Sequence, residues 1–135
     1  MDLKLHHINL STNNVVGMSH FYRDILGLKT ETHDLPVLEK TKGYSGDVQF
    51  VSDGQIQTHL AQKDINVGFR TGHIVNPLKQ GHIAYRTDDL MAFKAHLEEK
   101  GIAYSDWDKT AVTGWKQIFF YDPDGNVIEV HQITG

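Results

Sequence analysis

The chain has 135 residues, a formal net charge of −4, 22% charged and 39% hydrophobic residues, and no cysteine. This composition is ordinary for a globular domain, and the lack of cysteine excludes disulfides and thiolate ligands. No apolar run approaches the roughly 20 residues of a membrane span, and no basic stripe indicates nucleic acid as a partner. Because the sequence starts without an apolar leader, we expect one cytoplasmic domain.

The first half of the chain predicts a strand, a helix and three further strands. Alternation over residues 3–11 predicts the first strand, and helical spacing predicts a helix over 15–26 that an asparagine caps and Gly27 ends. A strand at 28–33 and a hairpin within 48–61 follow. We expect the apolar side chains of the helix to face the core: Val15, Met18, Phe21, Tyr22, Ile25 and Leu26.

The second half repeats this order after an irregular stretch, residues 62–79, which fits either a linker or a loop over a site. It predicts a strand at 82–87, a helix at 90–100, a strand at 102–107 and a hairpin within 116–133. The repeat of β-α-β-β-β predicts an α+β fold built from two modules. We expect one domain over 1–135, with module 1 at about 3–62, a linker at about 63–79 and module 2 at about 80–134.

Four metal-type side chains recur at matching points of the repeat. His7 and His82 lie in the first strands of the two halves, and His59 and Glu129 lie in strands that close them. Alternation places each on the more polar face of its strand, so the four converge if those faces meet, whereas His6 points the opposite way, under the helix. Imidazole and carboxylate suit Zn²⁺, Fe²⁺, Mn²⁺, Ni²⁺ or Co²⁺. The alternative is that these are ordinary polar strand residues.

Four stretches carry a resemblance to a known superfamily: residues 5–10 (LHHINL), 21–28 (FYRDILGL), 81–86 (GHIAYR) and 121–129 (YDPDGNVIE). Over nearly its whole length the chain resembles the vicinal oxygen chelate superfamily, which includes glyoxalase I, methylmalonyl-CoA epimerase, fosfomycin resistance thiol transferases and extradiol dioxygenases. The resemblance implies two βαβββ modules whose curved mixed sheet surrounds a metal. It implies His7, His82 and Glu129 as metal ligands. It also implies a homodimer, since two-module members often dimerise and build each site from both chains.

Members of this superfamily share a metal platform and differ in reaction, so several activities stay open. In glyoxalase I a glutamate ligand doubles as the base, and His59 takes that place here. Extradiol dioxygenases resemble this chain at His59, but they carry a further histidine and tyrosine where Thr113 and Phe119 stand. Fosfomycin transferases share a histidine two residues after the glutamate, as at His131, and usually continue with basic residues. Bleomycin-binding relatives use the same fold without metal to sequester a drug.

We therefore expect a metal-dependent, glyoxalase-like isomerase or lyase that chelates vicinal oxygens of a small substrate. His59 would be a fourth ligand or the general base, and the metal a divalent Zn, Ni, Mn, Co or Fe(II) ion. The alternatives are an Fe(II) extradiol ring-cleavage dioxygenase, a metal-free drug-binding resistance protein, and a fosfomycin-type thiol transferase. The candidate substrate contacts are Asn9, Arg70, Arg86, Tyr121 and His131.

Overall fold

The computed structural model describes residues 2–30, 34–40, 43–108 and 111–134. The predicted α+β class is confirmed, and the predicted strand over 28–33 is seen only as its first part because residues 31–33 lie outside the described ranges. The elements in chain order are β1 Lys4–Thr12, α1 Val15–Asp24, β2 Lys29–Thr30, β3 Val48–Ser52, β4 Gln57–Gln62, α2 Val67–Thr71, β5 Gly81–Arg86, α3 Leu90–Glu99, β6 Ser105–Asp108, β7 Trp115–Tyr121 and β8 Val127–Ile133.

The strands form one curved mixed sheet in the order β2-β3-β4-β1-β5-β8-β7-β6. β1 pairs in parallel with β4, β5 pairs in parallel with β8, and β1 and β5 are antiparallel neighbours at the centre. The first half of this order mirrors the second, which is the relation that the sequence repeat predicts. The two halves therefore meet at β1 and β5, and the four central strands can present their polar side chains on one face of the sheet.

Each long helix begins directly after a side chain that caps it. The side chain of Asn14 accepts a hydrogen bond from Gly17 N at 2.9 Å, and that of Asp89 accepts one from Ala92 N at 3.0 Å. Each bond satisfies a backbone N–H that the helix itself leaves without a partner. Within the described ranges, no helix is long and apolar enough to cross a bilayer.

Replacing Asp89 with alanine is expected to destabilise the protein by about 1 kcal/mol, because it removes the capping acceptor of α3. Urea unfolding followed by circular dichroism measures this change. Asp88→Ala is the matched control, since Asp88 is also exposed and precedes the cap. Equal unfolding free energies for the two variants would contradict the capping role.

The two helices differ in how they meet the sheet. In α3 the predicted apolar face is correct, because Leu90, Phe93 and Leu97 are buried in a core with strands β7 and β8. In α1 and the turn after it the prediction is wrong for three of the six side chains, because the buried stripe runs through Val15 and Ser19. Three of the predicted residues, and Val16 beside them, are more than half exposed. These are Val16, Phe21, Ile25 and Leu26.

The irregular stretch between the modules contains more structure than the sequence indicates. α2 lies within it, with Val67 buried, and Val75 and Leu78 are buried in the same core as Trp107 and Phe119. The segment thus packs against the second module while connecting to it. Pro77 and Leu78 also reach the cavity described below, in agreement with the reading of this stretch as a loop beside a site.

The strand β1 carries an irregularity that changes the direction of one histidine. Its pairing with β5 shifts register between Leu5 and His7, as in a β-bulge. A bulge turns one residue out of the regular alternation. The expectation that His6 points under the helix is therefore wrong: its Nδ1 lies 2.7 Å from His7 Nδ1.

Candidate metal site

The four predicted side chains come together within one chain. His7 lies on β1, His59 on β4, His82 on β5 and Glu129 on β8, and strand register places His59 and His82 beside opposite edges of Asn9. All four side chains are at least nine-tenths buried and line the same cavity. One chain supplies the whole cluster, so no second copy is needed to complete it.

Three ligand-type atoms converge on one point. Glu129 Oε1 lies 3.0 Å from His82 Nε2 and 3.5 Å from His7 Nε2. The Nδ1 atom of His82 lies 2.9 Å from the carbonyl oxygen of Pro77, which can only accept, so this nitrogen carries a proton. In a neutral His82 the lone pair is consequently on Nε2, facing the carboxylate. A metal between these atoms would accept that lone pair.

A fourth buried histidine, His131, lies beside the carboxylate. Its Nδ1 lies 2.7 Å from Glu129 Oε2, and its ring stacks on Trp115 with centroids 3.9 Å apart. His7, Glu129 and His131 offer ligand atoms that all lie within 4.8 Å of one another, so this buried triad could hold a metal ion. Both ring nitrogens of His131 are already engaged, however, because its Nε2 accepts a hydrogen bond from Arg86 Nε.

His59 occupies a different place from these converging atoms. Its ring stacks on that of His7, with centroids 3.8 Å apart and planes 15° apart. Its Nε2 lies 2.7 Å from Gln57 Oε1, and Gln57 Nε2 donates to the carbonyl oxygen of Asp34. Because Gln57 Nε2 is the donor to Asp34, the atom facing His59 is the amide oxygen, which can only accept. His59 Nε2 therefore carries the proton, and His59 Nδ1 keeps its lone pair.

Burial and neighbouring charges set the protonation of the cluster. Burial opposes the charged form of Glu129, yet the neighbouring His7, His131 and His82 hold the pKa of this carboxyl well below its usual range. Burial lowers the pKa of His7, and it lowers the pKa of His59 well below its ordinary value. At neutral pH these shifts favour an ionised Glu129 carboxylate beside neutral His7 and His59 rings, which is the state that binds a metal.

These pKa shifts predict that the metal-free protein loses stability as the pH falls below about 6.5. Burial lowers the pKa of His6 to about 4, and it lowers the pKa values of His7 and His59 as well. Below pH 6.5 the unfolded chain takes up protons that the folded chain refuses, so stability decreases until the folded pKa values are reached. His6, with its pKa of about 4, should by itself remove about 1 kcal/mol between pH 7.5 and pH 5.5, and His7 and His59 add to this loss in the same direction.

Urea unfolding at the two pH values measures this loss. The variant His59→Gln should show a smaller pH dependence, whereas His20→Gln, which changes an exposed helix residue, should behave like the wild type. An unfolding midpoint that is the same at pH 7.5 and pH 5.5 would contradict the prediction.

The cavity above the cluster has a volume of about 70 Å³ and mostly apolar walls. Its aromatic side chains come from both modules, and Pro36 and Leu38 of the segment 34–40 close one side. Three buried polar atoms of lining residues have no hydrogen-bond partner among the described residues: Asn9 Nδ2, Trp107 Nε1 and Gln117 Oε1.

The other predicted substrate contacts fall in different places. Asn9 lines the cavity. Arg70 lies on the exposed side of α2 and pairs with Asp64 at 2.6 Å, and Tyr121 is 46% exposed at the end of β7, so the structure brings neither to the cavity. Arg86 and His131 lie behind the cluster, where they contact each other and not the cavity.

Sequence reasoning missed the residues that support the cluster from behind. Asp34, Gln57 and Gln117 belong to no recognisable motif. His6 was predicted on the helix-facing side of β1, away from the cluster. The spacing of Glu129 and His131 was a usable signal, because residues two apart on a strand share a face. For Asp34 there was no signal, since it reaches the cluster from 52 positions before Arg86.

Comparisons with known proteins agree with this architecture. The sequence profile of the Glyoxalase/Bleomycin resistance protein/Dioxygenase superfamily matches residues 4–130. No curated protein matches the chain. A hypothetical protein from Bacillus halodurans C-125 aligns with a TM-score of 0.71 at 16% identity, over 100% of this chain and 97% of that one.

Two methylmalonyl-CoA epimerases also share the fold. A variant of the Streptomyces coelicolor enzyme, in complex with 2-nitronate-propionyl-CoA, aligns with a TM-score of 0.68 at 20% identity, over 99% of this chain and 97% of that one. The enzyme from Mycobacterium tuberculosis aligns with a TM-score of 0.69 at 18% identity, over 97% and 88%. At these identities the likeness to solved structures shows the fold alone.

Proposed function

Because the chain belongs to the Glyoxalase/Bleomycin resistance protein/Dioxygenase superfamily, we propose that it is a metal-dependent enzyme of the isomerase or lyase type. It chelates vicinal oxygens of a small substrate at a divalent ion held by His7, His82 and Glu129. The observation that carries the proposal is the approach of His7 Nε2 and His82 Nε2 to one carboxylate oxygen at the cavity floor.

The donor set fits a transition metal better than it fits an ordinary polar core. Two imidazole nitrogens and a carboxylate oxygen suit Zn, Mn, Co, Ni or Fe(II) and leave positions open for a substrate. His82 is held through its other nitrogen by Pro77 O, and the second oxygen of Glu129 is held by His131. Such outer hydrogen bonds orient metal ligands. We assign His82 to the ligand set and His131 to the support of Glu129, because both nitrogens of His131 are engaged.

We propose His59 as the general base. A bound metal would supply a Lewis acid that stabilises negative charge on the substrate oxygens. His59 lines the cavity, and its unprotonated Nδ1 can accept a proton from the substrate while Gln57 holds the other nitrogen. The lowered pKa of His59 keeps this ring in its basic form at neutral pH. The stacking of His59 on His7 supports a role beside the metal in preference to a fourth ligand.

The dimensions of the cavity favour a compact substrate. A volume of about 70 Å³ is far below the roughly 300–1,000 Å³ of pockets for drug-sized ligands, and the walls are mostly apolar. Asn9, Trp107 and Gln117 line this cavity, and each carries a buried polar atom without a partner among the described residues, so we propose them as contacts for polar groups of the substrate. A longer substrate, such as the thioester bound by the epimerase relatives, would require the segment 34–40 to move.

One observation favours a second candidate, Fe(II)-dependent ring cleavage of a catechol. Two histidines and one carboxylate, with His59 as a base beside them, match the ligand set of non-haem Fe(II) oxygenases. The aromatic cavity walls would also accept a planar ring. Phe119 stands where a catalytic tyrosine is expected from the family, and this difference places ring cleavage second.

We further propose a homodimer located in the cytoplasm. Members of the superfamily often form dimers. The exposed apolar side chains of α1 provide a surface that a second copy can cover, and Ile25, 69% exposed, lies within it. Light scattering of the wild type and of Ile25→Asp tests this: a dimer that becomes monomeric supports the proposal, and a wild-type monomer refutes it.

Metal binding is the first test of the enzyme proposal. Metal-free protein is offered Zn²⁺, Co²⁺, Mn²⁺, Ni²⁺ and Fe²⁺ in turn, and we expect about one ion per chain. His82→Ala should lose that ion, and His20→Ala, a change on the exposed face of α1, should retain it. If the wild type binds none of the five ions, the enzyme proposal is rejected, and a metal-free drug- or ligand-binding protein becomes the better hypothesis.

The reaction is then separated by three assays on the loaded protein. Isomerisation of hemithioacetals and epimerisation of a 2-methylmalonyl thioester report proton transfer, and oxygen uptake with catechols reports ring cleavage. In whichever assay is positive, His59→Gln should lower turnover by about 10²–10⁴-fold while leaving metal affinity unchanged. Full activity of His59→Gln would remove His59 as the base.

A further inference from the structure

Beyond the ligands, we propose that Arg86 is a positioning residue that fixes the metal-binding orientation of two ligands, Glu129 and His7. It acts through two hydrogen-bonded branches that start from one guanidinium group. One branch reaches Glu129 through His131, and the other reaches His7 through Asp34 and His6. The inference rests on the proposed metal site, but it concerns residues that do not line the cavity.

The first branch fixes the carboxylate. Arg86 Nε donates to His131 Nε2 at 2.9 Å, and because a guanidinium can only donate, this ring nitrogen must be unprotonated. The proton of a neutral His131 is therefore on Nδ1, which donates to Glu129 Oε2 at 2.7 Å. Oε2 is held in this way, and Oε1 is left facing His7 and His82. Arg86 thus determines which tautomer of His131 meets the ligand.

The second branch fixes the tautomer of His7. Arg86 Nη1 donates to Asp34 Oδ2 at 2.7 Å, and the same oxygen lies 3.1 Å from His6 Nε2. Because a carboxylate can only accept, His6 Nε2 carries the proton and Nδ1 of the neutral ring accepts from His7 Nδ1 at 2.7 Å. His7 therefore keeps its lone pair on Nε2, the nitrogen that faces Glu129.

The two branches are joined through the rigid guanidinium group of Arg86. Nε and Nη1 belong to one rigid plane, so the two bonds are formed in a fixed relation that a flexible ammonium group cannot reproduce. The Cζ atom of Arg86 lies 5.1 Å from the ring centroid of Trp115, and the same indole stacks on His131 and, with centroids 6.0 Å apart, on His7. The plane of Arg86 is thus held on the same indole that holds the ring of His131.

The positive charge of Arg86 and its proposed positioning role predict opposite effects of its removal on metal affinity. A positive side chain behind the site repels a cation, so by charge alone the removal of Arg86 should tighten metal binding. If Arg86 acts by fixing tautomers and orientations, its removal should weaken metal binding. Partners that orient metal ligands are typically worth about 10–100-fold in affinity.

The experiment is calorimetric titration of Co²⁺ into the metal-free full-length chain, together with the visible absorption spectrum of the loaded protein. Arg86→Met is expected to weaken binding by about 10–100-fold and to change the Co²⁺ spectrum, because the ligand geometry relaxes. Arg86→Lys should fail to restore the wild-type affinity or spectrum. Arg70→Met is the matched control, since it breaks another arginine–aspartate pair, to Asp64, outside the site.

The outcomes separate the inference from the function on which it rests. A wild type that does not bind Co²⁺ rejects the metal site itself. A wild type that binds, with Arg86→Met equal or tighter, overturns the positioning role, and full rescue by Arg86→Lys overturns the need for the guanidinium fork. Should Arg86→Met lose its circular dichroism, His6→Ala replaces it: a neutral group is removed, so weaker binding supports the branch and unchanged binding overturns it.

Discussion

Glu129→Gln is expected to abolish specific metal binding while leaving the metal-free fold in place. The amide has the shape of the carboxylate and can still accept the hydrogen bond from His131 Nδ1, but its nitrogen turns hydrogens toward His7 and His82. Loss of an outer partner of a metal ligand already lowers affinity by about 10–100-fold, so loss of the ligand should exceed 100-fold. Calorimetry with Co²⁺ or Zn²⁺ on metal-free protein measures this.

Glu99→Gln serves as the control, because it removes the same charge from an exposed position at the end of α3. Its metal affinity should equal that of the wild type. Retention of wild-type affinity by Glu129→Gln would show that the metal, if bound, lies elsewhere, and would remove the basis of the proposed function.

Gly81→Ala is expected to destabilise the protein by about 4 kcal/mol, the sum of backbone strain and a steric clash. Gly81 has φ of +131°, which side-chain-bearing residues rarely adopt, and an added Cβ would lie 2.0 Å from the carbonyl oxygen of Asn9. The strand β1 or β5 must shift to relieve this contact, and both carry proposed metal ligands. Urea unfolding at pH 7.5 measures the loss.

Gly54→Ala is the control that measures backbone strain without a steric clash. Its φ of +101° is also unfavourable for alanine, but nothing lies within 4 Å of the added Cβ, so we expect a loss of about 1–2 kcal/mol. If the two variants lose equal stability, the close approach of Gly81 to β1 does not constrain the sheet. A stable Gly81→Ala protein that binds Co²⁺ like the wild type would contradict the prediction outright.

Much of the fold was available from local sequence signals. The caps at Asn14 and Asp89 act on backbone N–H groups three positions away, and glycines with positive φ follow both helices, so nearest neighbours decide these boundaries. Alternation likewise placed His7, His59, His82 and Glu129 on polar strand faces. The resemblance to the superfamily then implied that these faces belong to one curved sheet.

Local signals failed where a partner distant in sequence decides the outcome. The apolar residues of α1 fit a core-facing helix by spacing, but which side of a helix is buried depends on how it lies on β3 and β4. The bulge that turns His6 toward His7 arises from the pairing of β1 with β5, about 80 positions later. Neither the buried side of α1 nor the bulge in β1 can be predicted from the residues next to it in sequence.

The sequence by itself determined the order of elements, the superfamily and the residue types of the site, because these follow from periodicity, turn chemistry and short motifs. Only the tertiary structure decided the chemical state of each ligand. Which nitrogen of His7 or His82 holds the lone pair depends on the group that its other nitrogen meets, such as Pro77 O. Those groups come from strands and loops that are remote in sequence. The packing of the whole sheet therefore determines which nitrogen of each histidine is protonated.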